Sequence, residues 1–297
     1  MLDIRERVYY SDYCTTSRIT DVFVTSDTVD EVVEWANSTA EPYYITLMYS
    51  FKDLNFLLEI PSLKCLSLPQ YLVTDDMSAV EKCTNLENLN LFADCQAKCD
   101  LSSLSNLKML DVNNKRFFLP SADCLPNLEQ LYCWYTRSQS VNQIPFYPKL
   151  EYLHFLFGSI TTLSGLERFD KLISYDHDYG KRLSDVNAVT QLKNLKHLRF
   201  GNCKKIEISP ILSLLPESLD WLQYVASADL PSLSFLKRLK NLTFMALIDT
   251  NVLDGDVTPL ASLKKFGLYP NKRSYSHTEE QLMALHDKIW KNKDNVK

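Results

Sequence analysis

Glycine is scarce, six in 297 residues, and none falls in the G-x-x-x-x-G-K-[ST] or G-x-G-x-x-G loops whose bare backbones cradle phosphates. The H-E-x-x-H and G-x-S-x-G signatures of zinc hydrolases and serine hydrolases are missing too. No cofactor or metal is therefore expected, and no enzymatic chemistry. Long apolar runs are also lacking: no window of about 18 apolar residues would span a bilayer. The N-terminal MLDIRERVYYSDYC mixes acids and bases where a secretory signal needs an apolar stretch. A chain that stays in the cytoplasm, with no membrane partner, is the expectation. No run of Lys or Arg concentrates a positive field, and the net charge is −5 with a pI near 5.6, so nucleic acid is not an expected partner. The eight cysteines, Cys14, Cys65, Cys83, Cys95, Cys99, Cys124, Cys133 and Cys203, contain no C-x-x-C pair. They read as free thiols of a reducing compartment, and Cys95-x-x-x-Cys99 as two thiols rather than a zinc site.

What is present is a balance of 45% hydrophobic and 23% charged residues, ordinary for a chain that folds. Across it recurs the pattern L-x-x-L-x-L. The clear copies are LENLNL from Leu86, LEQLYC from Leu128, LEYLHF from Leu150, LKHLRF from Leu195, LDWLQY from Leu219 and LTFMAL from Leu242. Weaker copies begin at Ile19, Tyr44, Leu63, Leu107, Leu172 and Leu263, and the mean spacing is about 22 residues. In a short strand of this pattern positions 1, 4 and 6 point inward, whereas 2, 3, 5 and 7 face solvent. Between the strands a second apolar cluster recurs, as in DLSSLSNL, TTLSGLERF and ISPILSLL, suited to a helical or 3-10 segment.

These repeats resemble those of leucine-rich-repeat proteins, in the short bacterial, internalin-like form. The resemblance implies an α/β solenoid: a horseshoe with a parallel concave β-sheet, helical or 3-10 convex segments, and capping helices at both ends. The expected organisation is an N-terminal cap with a degenerate first repeat over 1–40, the repeat array over 41–270, and a C-terminal capping helix over 271–297. Thr28-x-x-Glu31 and Thr278-x-x-Gln281 read as the capping boxes of the terminal helices. Family repeats often carry Asn or Cys at position 9. Here the positions read Asp94, Lys115, Thr136, Gly158, Gly180, Cys203, Ser227 and Thr250, of which Cys203 fits, marking a divergent member.

The solvent-facing sites hold unusual chemistry. His154, Asp176 and Arg199 share position 5 of successive repeats, so they should stand on strands about 4.8 Å apart, Asp176 between the two bases. A catalytic reading would need a nucleophile with a neighbouring base; none accompanies them, and a cross-strand charge ladder on a solvated face is expected. His177 falls on inward position 6 and reads as a core histidine standing in for leucine. Positions 3 and 7 carry Cys65, Phe92, Trp134, Tyr152, Asp178, Trp221 and Phe244, with Tyr132 at position 5. Rings on a sheet face that should meet water commonly mark interaction surfaces. Acids dominate the middle repeats, where Glu87, Asp111, Glu129, Glu151, Asp176 and Asp178 face Lys108 alone. Basic residues lead from Leu195 onward, with Lys196, Arg199, Lys264 and Lys265 against Asp220.

The expected partner is therefore a protein with a basic, partly apolar patch, anchored by Tyr132, Trp134, Tyr152 and Trp221 and steered by Glu129, Glu151, Asp176 and Asp178. By fold analogy the expected role is an immunity, antitoxin-like protein that occludes a toxin domain. An effector acting on a host protein through the same face, or a non-catalytic scaffold, are the alternatives.

Overall fold

The computed structural model describes residues 2–12, 15–93 and 97–294; Cys14, Asp94 and Cys95 lie outside them. The chain falls into two compact units, Met1–Trp134 with Pro145–Leu150, and Tyr135–Ile144 with Glu151–Lys297.

The first unit opens with an antiparallel hairpin, Asp3–Asp12 against Thr15–Val24. The sequence pattern marks only the part of its second strand from Ile19 onward, because no Asn-Gly or Asp-Gly pair announces the turn. That strand begins a parallel ladder that continues through Tyr43–Leu47, Cys65–Leu68, Asn88–Leu91, Met109–Asn113 and Gln130–Trp134. The helix Val29–Ser38 follows the hairpin and buries Val32 and Ala36. Its expected capping box is displaced. The Thr28 hydroxyl accepts from the Thr25 amide at 3.1 Å, closing the 3-10 turn Ser26–Thr28 that runs straight into the helix. The chain is already helical before Val29, so the cap sits one turn earlier.

In the second unit six strands run parallel and in register: Tyr152–Leu156, Ser174–Asp178, His197–Gly201, Trp221–Val225, Phe244–Ile248 and Lys265–Tyr269. Short 3-10 segments such as Asn187–Gln191, Ser209–Leu214 and Thr258–Ser262 carry the chain between them. The helix Glu279–Asp294 packs on the last of these, with Leu282 fully buried. Here the box forms. The Gln281 side chain accepts from the Thr278 amide at 2.8 Å, and the Thr278 hydroxyl accepts from the Gln281 amide at 3.3 Å.

Alternation along the strands builds both cores. Leu131 and Cys133, Leu153 and Phe155, and Leu198 and Phe200 point inward and are buried, while the residues between and before them, such as Tyr132, His154 and Arg199, are half exposed. Burying one such side chain stabilises by about 1.5–3 kcal/mol, too little for a single coil to offset its own ordering, so the coils hold only as a stack.

Two further columns are built at the turns of the second unit, from Tyr135 to Thr250. Position 9 turns inward, and hydroxyls do there what asparagine does in regular repeats. The Ser227 hydroxyl accepts from the Cys203 amide at 3.0 Å and faces the Phe200 and Val225 carbonyls. Thr250 accepts from the Ser227 amide at 3.2 Å. Position 8 is left-handed in every coil from Tyr135 to Asp249, with φ between 45° and 56°. Among the described residues no helix is long and apolar enough to cross a membrane.

Candidate functional site

Register sets His154, Asp176, Arg199 and Gln223 side by side at position 5 of the second unit. The carboxylate that bridges the two bases, however, belongs to Asp178, at position 7. Its oxygens accept from His154 Nε2 at 3.0 Å, from Arg199 Nε at 3.0 Å and from the second Arg199 terminal nitrogen at 3.1 Å. The first terminal nitrogen of Arg199 donates to Gln223 Oε1 at 2.6 Å. Positions 5 and 7 lie on one face, one pleat apart, within diagonal reach of long side chains. Next to Asp178 in register stands Gly201. A Cβ there would overlap the Asp178 carboxylate, so the glycine makes the room in which Asp178 meets Arg199.

Asp178 is only 6% exposed. Burial alone would raise its carboxyl, but the bonds from His154 and Arg199 hold it down at about 2. An ionised carboxylate can only accept, so His154 must carry its proton on Nε2. The group is a fully bonded, buried charge cluster whose desolvation cost is offset by four hydrogen bonds. This corrects the expectation for Asp178 as a steering acid at a partner's rim: its charge is already neutralised, and Asp176 is the half-buried one.

Beside the cluster, Trp221 stacks on Phe244 with centroids 3.9 Å apart, and His197 lies 6.3 Å from the indole. Tyr152 and Glu151 are half-buried on the coil that carries His154. In the first unit Phe92 meets Trp134 edge to face at 5.0 Å, and the Trp134 indole donates to Asp111 at 2.9 Å. Glu129 and Tyr132 are half-buried there. Glu87 lies between Lys64 at 2.6 Å and Lys108 at 2.7 Å, and Cys65 is buried rather than offered to solvent. The acidity read from the sequence is thus partly consumed inside the molecule, and Glu129, Glu151 and Asp176 are half-buried.

His177 is wholly buried, with Tyr175 Oη 2.8 Å from its Nδ1 and no hydrogen-bond partner for Nε2. Burial pushes it down to about 3. Cys203 donates to the His177 carbonyl at 3.4 Å, and burial pushes its thiol up to about 12. Among the described residues no group of three or more His, Cys, Asp or Glu side chains is placed to hold a metal.

A feature outside the repeat motif joins these. Tyr135, Phe157 and Tyr179, all at position 8, stack ring on ring at the turns, with centroids 5.4 and 4.4 Å apart. The signal was an aromatic recurring at 22-residue spacing just past the strand, one position beyond those the motif defines.

No family model and no curated protein matches the chain. Among solved structures, an internalin (inlF) from Listeria monocytogenes aligns over 94% of this chain and 89% of its own, at 17% identity and a TM-score of 0.58. The functional domain of InlJ from Listeria monocytogenes, which includes a cysteine ladder, aligns over 76% of this chain and 60% of its own, at 16% identity and 0.47. An internalin C2 from the same species aligns over 77% and 80%, at 15% identity and 0.35. With the in-register parallel strands, inward leucine columns and 3-10 segments described above, the chain is a leucine-rich-repeat solenoid of the internalin-like fold.

Proposed function

We propose that the chain is a non-catalytic protein-binding module, and that it acts in the cytoplasm as an immunity, antitoxin-like protein that occludes a toxin domain. One observation carries the reading: on an outward sheet face, the Trp221–Phe244 stack stands beside the locked Asp178–Arg199 cluster. Rigid rings bury large area at small entropic cost, which makes them effective anchors. A cluster already bonded in the free protein loses no further freedom when a partner arrives. The carboxylates of Glu151 and Asp176 on the same unit suit a basic, partly apolar surface, the kind an enzyme acting on nucleic acid turns toward phosphates. Catalysis is disfavoured by the cluster's own chemistry. A carboxyl held at about 2 takes up no proton near neutrality and is a poor general base.

The test is calorimetric titration of purified protein with candidate toxin domains, alongside assay of toxin activity. A stable, protective complex is expected. Trp221→Ala and Phe244→Ala should each weaken it by tenfold or more, about 1.4–2 kcal/mol, with melting unchanged, whereas Lys264→Ala should alter neither. Absence of any protected complex removes the immunity reading. Early melting of the ring variants assigns those rings to the core instead.

A further inference from the structure

We infer that the turn edge of the second unit, along Tyr135, Phe157 and Tyr179, is a separate docking surface for an extended acidic segment of a protein. The backbone gives the first reason. At these three positions φ is 56°, 52° and 56°, a region that Asn, Asp and Gly tolerate and bulky side chains rarely adopt. The corner itself does not ask for rings. Asn202, Ala226 and Asp249 occupy the same position in later coils with φ of 55°, 45° and 50°, and their amides make the same bond to the next coil. Phe157 donates to the Asp178 carbonyl at 3.1 Å as Asn202 does to that of Val225 at 2.8 Å. Three large rings at left-handed corners are an outlier that the fold leaves unexplained, the kind of strain that gathers at functional sites.

Their presentation gives the second. The rings lie nearly parallel, at 16° and 17°, and are 40%, 39% and 41% exposed. Stacking covers the faces of the middle ring, so the surface meets solvent largely through ring edges, which carry the positive end of the aromatic quadrupole.

Charge gives the third. The corner segments 135–139, 157–161, 179–183 and 202–206 contain Arg137, Lys181, Arg182, Lys204 and Lys205, all exposed, and no Asp or Glu. In a chain of net charge −5 this is a local reversal of sign. Of the carboxylates that flank these segments, Asp178 is bonded to His154 and Arg199, Asp185 is engaged by the Thr162 hydroxyl at 2.6 Å and the Asn187 amide at 3.0 Å, and Glu207 is exposed.

Cations and ring edges together select an anionic, partly apolar ligand. Single-stranded nucleic acid would need a run of open ring faces on which successive bases stack, and here both faces of Phe157 and one face each of Tyr135 and Tyr179 are turned on a neighbouring ring. An extended polypeptide fits better. Four coils have three spacings of about 4.8 Å, a span of about 14 Å, the length of four or five residues at about 3.3 Å per residue. The surface is independent of the sheet-face reading, and either stands if the other fails.

The test is fluorescence anisotropy with a labelled ten-residue peptide of alternating Glu and Leu, run beside a Lys-Leu peptide and a ten-nucleotide oligothymidylate. The acidic peptide should bind and the basic one should not, with affinity falling as salt rises. Replacing all three rings by asparagine, Tyr135→Asn with Phe157→Asn and Tyr179→Asn, should weaken binding about tenfold or more while leaving melting unchanged or raised. Lys181→Glu with Arg182→Glu, on exposed side chains, should weaken it comparably and decides the matter if the triple variant melts early. No binding of the acidic peptide, or binding indifferent to the charge variant, overturns the proposal. So does oligothymidylate binding more tightly with the same dependence on the rings.

Discussion

His177 stands at inward position 6, where the neighbouring repeats put Phe155 and Phe200, and the core around it offers no hydrogen-bond partner to its Nε2. Held down to about 3 against an ordinary 6.5, it stays neutral when folded, while the unfolded chain takes up a proton at that site as the pH drops below 6.5. The unfolded state then binds more protons than the folded one. Stability present above 6.5 is therefore lost progressively as pH falls toward 3, at about 1.4 kcal/mol per pH unit. Asp178, held at about 2 against 3.8, adds a second loss in the same direction, confined to the window below 3.8. His177→Leu should abolish the first window alone. Urea midpoints at pH 6.5, 5.5 and 4.5 are expected to fall steeply for the native chain and more shallowly for the variant; equal slopes would show that His177 is not the titrating group. The substitution also removes Nε2, a buried nitrogen without a hydrogen-bond partner, which offsets part of the lost bond to Tyr175. The inward position of this residue was readable from strand alternation. The bridging role of Asp178 was not, because the pleat puts Asp176 and Asp178 on one face, and the room that Asp178 uses comes from the missing Cβ of Gly201 on the next strand.

A coil of this fold is a strand, a left-handed corner and a 3-10 return, and the sequence announces these parts unequally. Leucines at fixed spacing mark the strand, since inward and outward sites alternate strictly there. Corners depend on backbone bonds that several side chains can serve, so the hydroxyl column Ser227–Thr250 does the work of an asparagine column without resembling one. The N-terminal hairpin lacks turn chemistry in its loop and was visible only as half of one strand. The hydroxyl column has a measurable consequence. Ser227→Ala strips the acceptor from the Cys203 amide and the donor from buried carbonyls, which should cost about 1–3 kcal/mol. Thr250→Val keeps the shape but leaves the Ser227 amide unserved, and should cost about 1–2 kcal/mol. Because Thr250 holds the very residue that Ser227→Ala alters, the double variant is expected to lose less than the sum. Chemical denaturation of the four proteins measures the coupling, and strict additivity would contradict a connected column.

At the scale of the whole molecule, stability in a stacked array is a sum of coils and the faces between them rather than of one central core. Charge is arranged in the same modular way. Asp176 lies on a strand of the second unit and Glu151 just before one, while Arg137, Lys181, Arg182, Lys204 and Lys205 line its turns, so the net charge of −5 describes neither surface. The partner expectation drawn from the sequence used strand positions only and therefore saw one of the two. Modularity also governs how damage spreads. Leu153 is 2% exposed and stands in register beside the buried Tyr175 in the inward column of the second unit. Leu153→Asp puts a carboxylate where no cation or donor waits, a change expected to cost about 4 kcal/mol or more. Loss should then be graded within the second unit. Amides of Tyr152–Leu156 should lose protection from hydrogen exchange first, those of Ser174–Asp178 next, and those of Phe244–Ile248 last, because each coil leans only on its neighbours. A variant that keeps more than about half of the native stability would contradict the inward placement of Leu153. Simultaneous loss of protection in all six strands would instead show that the unit behaves as one cooperative block, and that the repeats are coupled more tightly than nearest-neighbour stacking requires.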